Sequence, residues 1–149
     1  KGFNKKNFKA LHPKGSLGAQ LKTAEDLMIT KKGIPFINQN SDMKNALNVM
    51  TKKKLGVLIA INNNRYTTGI ITDGQIRRSS QKSNNLKKLL VKNVMTRNPI
   101  SIDKDTLASK SLSIMSEKKI TSLCVHKNDR KKITIGLLHL HALLRANLQ

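Results

Sequence analysis

The sequence predicts an α/β fold of two units, each running strand, helix, strand, strand, helix, packed with pseudo-twofold symmetry. Three observations predict it. The chain resembles itself at a spacing of 65 to 67 residues. Each repeat holds an apolar pattern of helical period. Each helix is followed by a β-branched apolar run of strand length.

The first repeat opens with an extended segment at Ile34, Pro35, Phe36 and Ile37. Ser41 is then expected to cap a helix, because Met43, Ala46, Leu47 and Met50 fall at i, i+3, i+4 and i+7. A shift of 65 residues reaches Asn98 to Ile102, an expected cap at Thr106, and Ala108, Ser111, Leu112 and Met115 in the same register. Lysines at the helix ends, Lys52 to Lys54 and Lys118 with Lys119, suit the negative C-terminal pole. The runs Leu55 to Ile61 and Ile120 to His126 read as buried strands. Polar turns at Asn62 to Arg65 and Lys127 to Lys132 lead into third strands at Thr67 to Thr72 and Ile133 to His139, each followed by a closing helix. A small sheet with helices on one face leaves its other face apolar, so two such units must pack together. The expected division is a leader at 1–23, a first unit at 24–85 and a second at 86–149.

Composition narrows the function. No apolar run approaches the roughly 18 residues of a membrane span, and the start, Lys1-Gly2-Phe3-Asn4, has neither an initiator Met nor a signal-peptide stretch, so the chain reads as a piece of a longer protein. The single Cys124 lies in an apolar segment, where a thiol acts as a small hydrophobe, and a reducing cytoplasm is the expected compartment. The net charge of +21 raises nucleic acid as a partner. Against it, 23 of the 29 basic residues are Lys, scattered with 15 Asn along the chain. The only aromatic residues are Phe3, Phe8, Phe36 and Tyr66, too few for a stacking surface. The charge therefore reads as a solvated coat.

The repeat order, with Gly69-Ile70-Ile71-Thr72-Asp73-Gly74 and Gly136-Leu137-Leu138-His139, resembles the CBS-domain pair, or Bateman module, over residues 24–149. More narrowly, Leu11-His12-Pro13-Lys14-Gly15-Ser16-Leu17-Gly18, the segment Gly69 to Arg78 and the ending Gly136 to Ala146 resemble the D-arabinose 5-phosphate isomerase family. That resemblance implies a sugar isomerase domain before a C-terminal CBS pair, with His12 at the position of a catalytic histidine in the intact enzyme. It implies interconversion of ribulose 5-phosphate and arabinose 5-phosphate, supplying 3-deoxy-manno-octulosonate for lipopolysaccharide. Such chemistry needs acid–base groups and a phosphate cradle. Here His12 alone is retained, so the isolated chain is expected to be no enzyme.

In CBS pairs a ligand such as an adenosine phosphate lies between the units, and the G-x-x-[ST]-x-x-D pattern supplies a hydroxyl near phosphate and a carboxylate for the ribose diol. Here Thr72 keeps the hydroxyl, Gln75 replaces the carboxylate, and His139 and Ala142 replace both in the second repeat. Asp73 is read either as a ligand contact or as the cap of the following helix. Arg77 and Arg78 can pair with a phosphate, or be solvated charge beside a helix. His139 and His141 form an H-x-H whose alternation would place both rings on one strand face, near His126. The resemblance to the isomerase family, which carries this H-x-H, implies a structural or cleft-lining role rather than metal ligation. The ligand residues are thus Thr72, Asp73, Gln75, Arg77, Arg78, His139 and His141, with no metal and no cofactor. The expected partners are an anionic nucleotide or sugar nucleotide and a second CBS pair in a homodimer, the parent forming a homotetramer. The rival readings are a purely structural oligomerisation module and a basic nucleic-acid-binding module.

Overall fold

The computed structural model describes residue 18 and residues 21–146. In chain order they form α1 (Ala24–Leu27), β1 (Phe36–Asn38), α2 (Met43–Lys53), β2 (Val57–Ile61), β3 (Thr67–Thr72), α3 (Asp73–Lys82), α4 (Val91–Val94), β4 (Thr96–Arg97), β5 (Ser101–Asp103), α5 (Ala108–Lys118), β6 (Ser122–His126), β7 (Gly136–His139) and α6 (Leu140–Arg145). Short 3₁₀ turns lie at Lys31–Gly33 and Leu86–Lys88. Both repeats thus show the predicted strand, helix, strand, strand, helix order.

The chain forms two compact units, and they are not consecutive halves. One holds residues 30–100 with 132–134, the other residues 21–29 with 101–131 and 135–146. The first unit carries the sheet β1-β2-β3-β4, the second the sheet β5-β6-β7. In each, the short leading strand pairs parallel with the central one (Ile37 opposite Ala60, Ile102 opposite Val125), and the third strand pairs antiparallel (Leu58 opposite Ile71, Leu123 opposite Leu138). The central strands β2 and β6 are buried at every position, as their β-branched runs predict.

The far edge of each third strand is taken by the opening segment of the other repeat. In the first unit β4 pairs with β3, Gly69 opposite Arg97 and Ile70 opposite Thr96. In the second, Ile29 bridges Leu137. A missing side chain seats each segment. A Cβ on Gly69 would lie 2.5 Å from Met95 Sδ, and one on Gly136 would lie 2.1 Å from Met28 Sδ. Residues 24–29 and 91–96 are thus the same element used twice, which is why the compact units cross the expected boundary at 85/86. Residues 132–134 cross it too. Lys132 O accepts from Thr67 N–H at 2.7 Å, and the Thr67 and Thr134 hydroxyls meet. β7 therefore starts at Gly136 rather than at the expected Ile133.

Helix α2 buries Met43, Ala46 and Met50 as its period predicts, and α5 buries Ala108, Ser111 and Met115. The expected caps shift. Asp42, not Ser41, caps α2, its carboxylate accepting from Asn45 N–H at 2.9 Å, because Ser41 O accepts from Val91 N–H at 2.8 Å where α4 begins. Thr106 is not a cap either. Leu107 occupies the N-cap of α5 without a side-chain bond. Backbone replaces the cap there: Ala108 N–H donates to Lys22 O and Thr106 O accepts from Ala24 N–H, both at 2.8 Å. Each segment that precedes a swapped element so satisfies a helix N-terminus, as Leu89 O does for Met43 N–H.

Candidate functional site

The residues of the sequence pattern gather at two strand-to-helix corners, one in each unit. At the β3–α3 corner, Thr72 and Gln75 form a capping box. Gln75 N–H donates to Thr72 Oγ1 at 3.4 Å, while Gln75 Oε1 accepts from Thr72 N–H at 2.8 Å and lies 3.3 Å from Thr72 Oγ1. Gln75 Nε2 also donates to the Thr96 hydroxyl. Thr96 is a partner that local reading could not find, since it lies 21 residues away on β4. Gln75 is therefore fastened on both sides of its amide, and it serves the corner before it can serve a ligand.

Asp73 does not cap α3, one of the two roles expected for it. Thr72 takes that place, and Asp73 lies in the first turn, where a carboxylate suits the positive helix pole. Its N–H donates to Gly56 O at 3.2 Å. The carboxylate turns toward Gly56, Oδ2 lying 2.8 Å from where a Cβ would sit, and Gly56 has φ +70°. Asp73, Lys54, Gly56 and Ile76 line a 380 Å³ depression with Leu47 and Met50 of α2. Arg77 and Arg78 are exposed on α3. Arg78 folds back one turn, its Nη1 3.3 Å from where a Cβ on Gly74 would be. This corner thus offers two guanidinium groups and a hydroxyl beside a helix start.

The β7–α6 corner is built differently. His139 holds the N-cap that Thr72 holds in the first repeat, its Nδ1 accepting from His141 N–H at 3.1 Å. It is buried at 7% exposure, while His141 is exposed in the first turn of α6. The rings stack obliquely, with centroids 4.5 Å apart and planes at 51°. The H-x-H does not lie along one strand face as expected, because the helix begins between its two histidines. Ala142, at the place of the missing carboxylate, is buried at 7% exposure and packs rather than recognises. Among the described residues no group of three or more His, Cys, Asp or Glu is placed to hold a metal ion. His12 lies outside the described residues.

His126, which was expected beside the H-x-H, is buried at the end of β6 with 4% exposure, and its Nδ1 meets Ser101 Oγ. Burial, partly opposed by Asp103, holds its imidazole below the usual histidine range. The unfolded chain therefore takes up a proton at this residue before the folded one. The His126 contribution should be intact above about pH 6.5 and be lost as pH falls below it. Asp26 and Asp103 are held low by backbone N–H donors from Thr23 and Asp105 respectively, so their contributions fail only in more acid solution. Urea unfolding at pH 7.5, 6.0 and 5.0 should give falling stability, and His126→Gln should flatten the decline. An unchanged slope in that variant would contradict the assignment.

Comparison with known proteins agrees with the geometry. The family model described as CBS domain matches residues 24–82 and 91–149. Arabinose 5-phosphate isomerase KdsD of Escherichia coli K12 is 34% identical over 147 residues, 98% of this chain and 44% of that protein. Uncharacterized protein RP505 of Rickettsia prowazekii is 32% identical over 97% of the chain and 44% of its own length. The chain thus spans less than half the length of these relatives. Among solved structures, CBSX2 in complex with AMP superposes with a TM-score of 0.71 at 24% identity, covering 84% of this chain and 95% of that one. A CBS-domain protein of Agrobacterium tumefaciens reaches 0.74 at 15% identity, covering 87% and 96%. No helix among the described residues is long and apolar enough to cross a membrane. With two matches to the family model falling on two sheets of one plan, the chain belongs to the CBS-domain family, a tandem CBS pair homologous to part of arabinose 5-phosphate isomerase.

Proposed function

We propose that this CBS pair is the regulatory module of a cytoplasmic arabinose 5-phosphate isomerase, and that it senses an anionic nucleotide or sugar nucleotide. The observation that carries the sensing role is the β3–α3 corner, where exposed Arg77 and Arg78 stand on the first turns after the Thr72 hydroxyl with no carboxylate paired to either among the described residues. The AMP complex of CBSX2 supports the ligand class. Catalysis belongs to the intact parent, in which His12 would serve as an acid–base group, and the isolated chain carries out no isomerisation. The pair associates as a homodimer and the parent as a homotetramer.

A second reading, a scaffold that binds nothing, is favoured by one observation. Gln75 spends its amide on Thr72 and Thr96. Calorimetry with AMP and UDP-glucose separates the two. Binding to the 149-residue chain is expected, weakened by about 1.5–3 kcal/mol in Arg78→Ala if the contact is a charge-assisted hydrogen bond. Absence of heat with both ligands would leave the scaffold reading standing.

A further inference from the structure

A groove of about 580 Å³ lies where the connection between the repeats meets α2 and Ser80 of α3, and it shares Leu47 with the depression beside Asp73. Its volume is that of small-molecule sites. Leu47 of α2 and Leu86 of the connection form an apolar floor. Ser83, Asn84 and Asn85 contribute a hydroxyl and two carboxamides to the wall, and Lys87 and Lys88 contribute two ammonium groups.

The geometry of this wall is set by the chain itself. Ser83 Oγ accepts from Asn85 N–H at 3.2 Å, and the 3₁₀ turn is closed by Lys88 N–H on Asn85 O and Leu89 N–H on Leu86 O, both at 3.0 Å. The turn is tied down by Met43 N–H donating to Leu89 O at 2.8 Å. Among the described residues the side-chain amides of Asn84 and Asn85 have no hydrogen-bond partner, and ion pairs occur only at Lys104.

Each part of the lining selects a ligand feature. Two ammonium groups with no acidic side chain in the lining select an anion. A carboxamide both donates and accepts, which suits vicinal hydroxyls. The leucine floor suits the apolar face of a saturated ring. No aromatic side chain lines the groove, so a nucleobase finds no stacking partner. We infer that this groove is a second ligand site, distinct from the Thr72 corner, which takes a monosaccharide phosphate rather than a nucleotide.

The test is an amide ¹H–¹⁵N titration of the 149-residue chain with D-glucose 6-phosphate as probe, alongside orthophosphate and AMP. Glucose 6-phosphate should shift the amides of residues 83–88. The Lys87→Ala/Lys88→Ala double variant should raise the Kd at least tenfold, while Lys110→Ala, which removes an exposed charge from α5 outside both corners, leaves it unchanged. Both lysines are exposed, and a dispersed spectrum of the variant confirms that it folds. The proposal is overturned if residues 83–88 do not shift, if orthophosphate or AMP binds there as tightly as the sugar phosphate, or if the double variant keeps its affinity. Shifts confined to residues 72–78 would support the Thr72 site while sinking this one.

Discussion

Truncating Leu138 to Ala is expected to lower stability by about 2–5 kcal/mol, because it removes Cγ and both Cδ carbons from a position with no exposure within β7. Leu138 faces Leu123 across the antiparallel pair, within a cluster that also holds Ile102, Met115 and Leu143. β-Strand backbone on both sides is held by the ladder, so the cavity cannot collapse freely and the loss should lie above that of a simple transfer. For a chain of this length the change corresponds to a fall in melting temperature of roughly 4–20 °C. Thermal and urea unfolding measure it. A loss below about 1 kcal/mol would mean that the cluster around β7 is looser than its burial indicates.

Replacing Gly69 by Ala is expected to cost about 1–3 kcal/mol through overpacking. The added methyl would meet Met95 Sδ at 2.5 Å, Met95 Cγ at 2.7 Å and the backbone oxygen of Thr96 at 2.9 Å. Met95→Ala in the same chain removes the first two clashes and leaves the third, so rescue should be partial. At Gly136 the three nearest atoms all belong to the Met28 side chain, Sδ at 2.1 Å, Cγ at 2.7 Å and Cβ at 3.1 Å. Gly136→Ala should therefore be rescued more fully by Met28→Ala. A double-mutant cycle at each site separates the two cases. Equal rescue at both would show that the Thr96 carbonyl is not a fixed wall, and that β4 gives way instead.

The helix faces at Met43, Ala46 and Met50, and at Ala108, Ser111 and Met115, were legible because helical period is written in neighbouring residues. The buried strands Val57–Ile61 and Ser122–His126 were legible from continuous apolar runs. Caps were less so. A residue such as Ser41 has the right side chain, yet its carbonyl is claimed by Val91 N–H, and the helix starts one residue later on Asp42. Thr72, Gln75 and His139 were identified as the residues of the corners, but their engagement was not. Thr72 and Gln75 cap each other, and His139 caps α6 with its ring nitrogen.

The class of fold, the number of repeats and the order of elements within each were legible from the residues alone, because these follow from apolar spacing and turn chemistry over about ten residues. That residues 24–29 complete the sheet of the second repeat, and residues 91–97 that of the first, emerges only from the folded chain. It alone fastened Gln75 to Thr96 and brought residues 132–134 to β3. The physical reason is that an open sheet edge accepts any extended backbone with free N–H and C=O groups. The choice of partner then rests on a fit between distant residues, a methionine over a glycine, which no local pattern records.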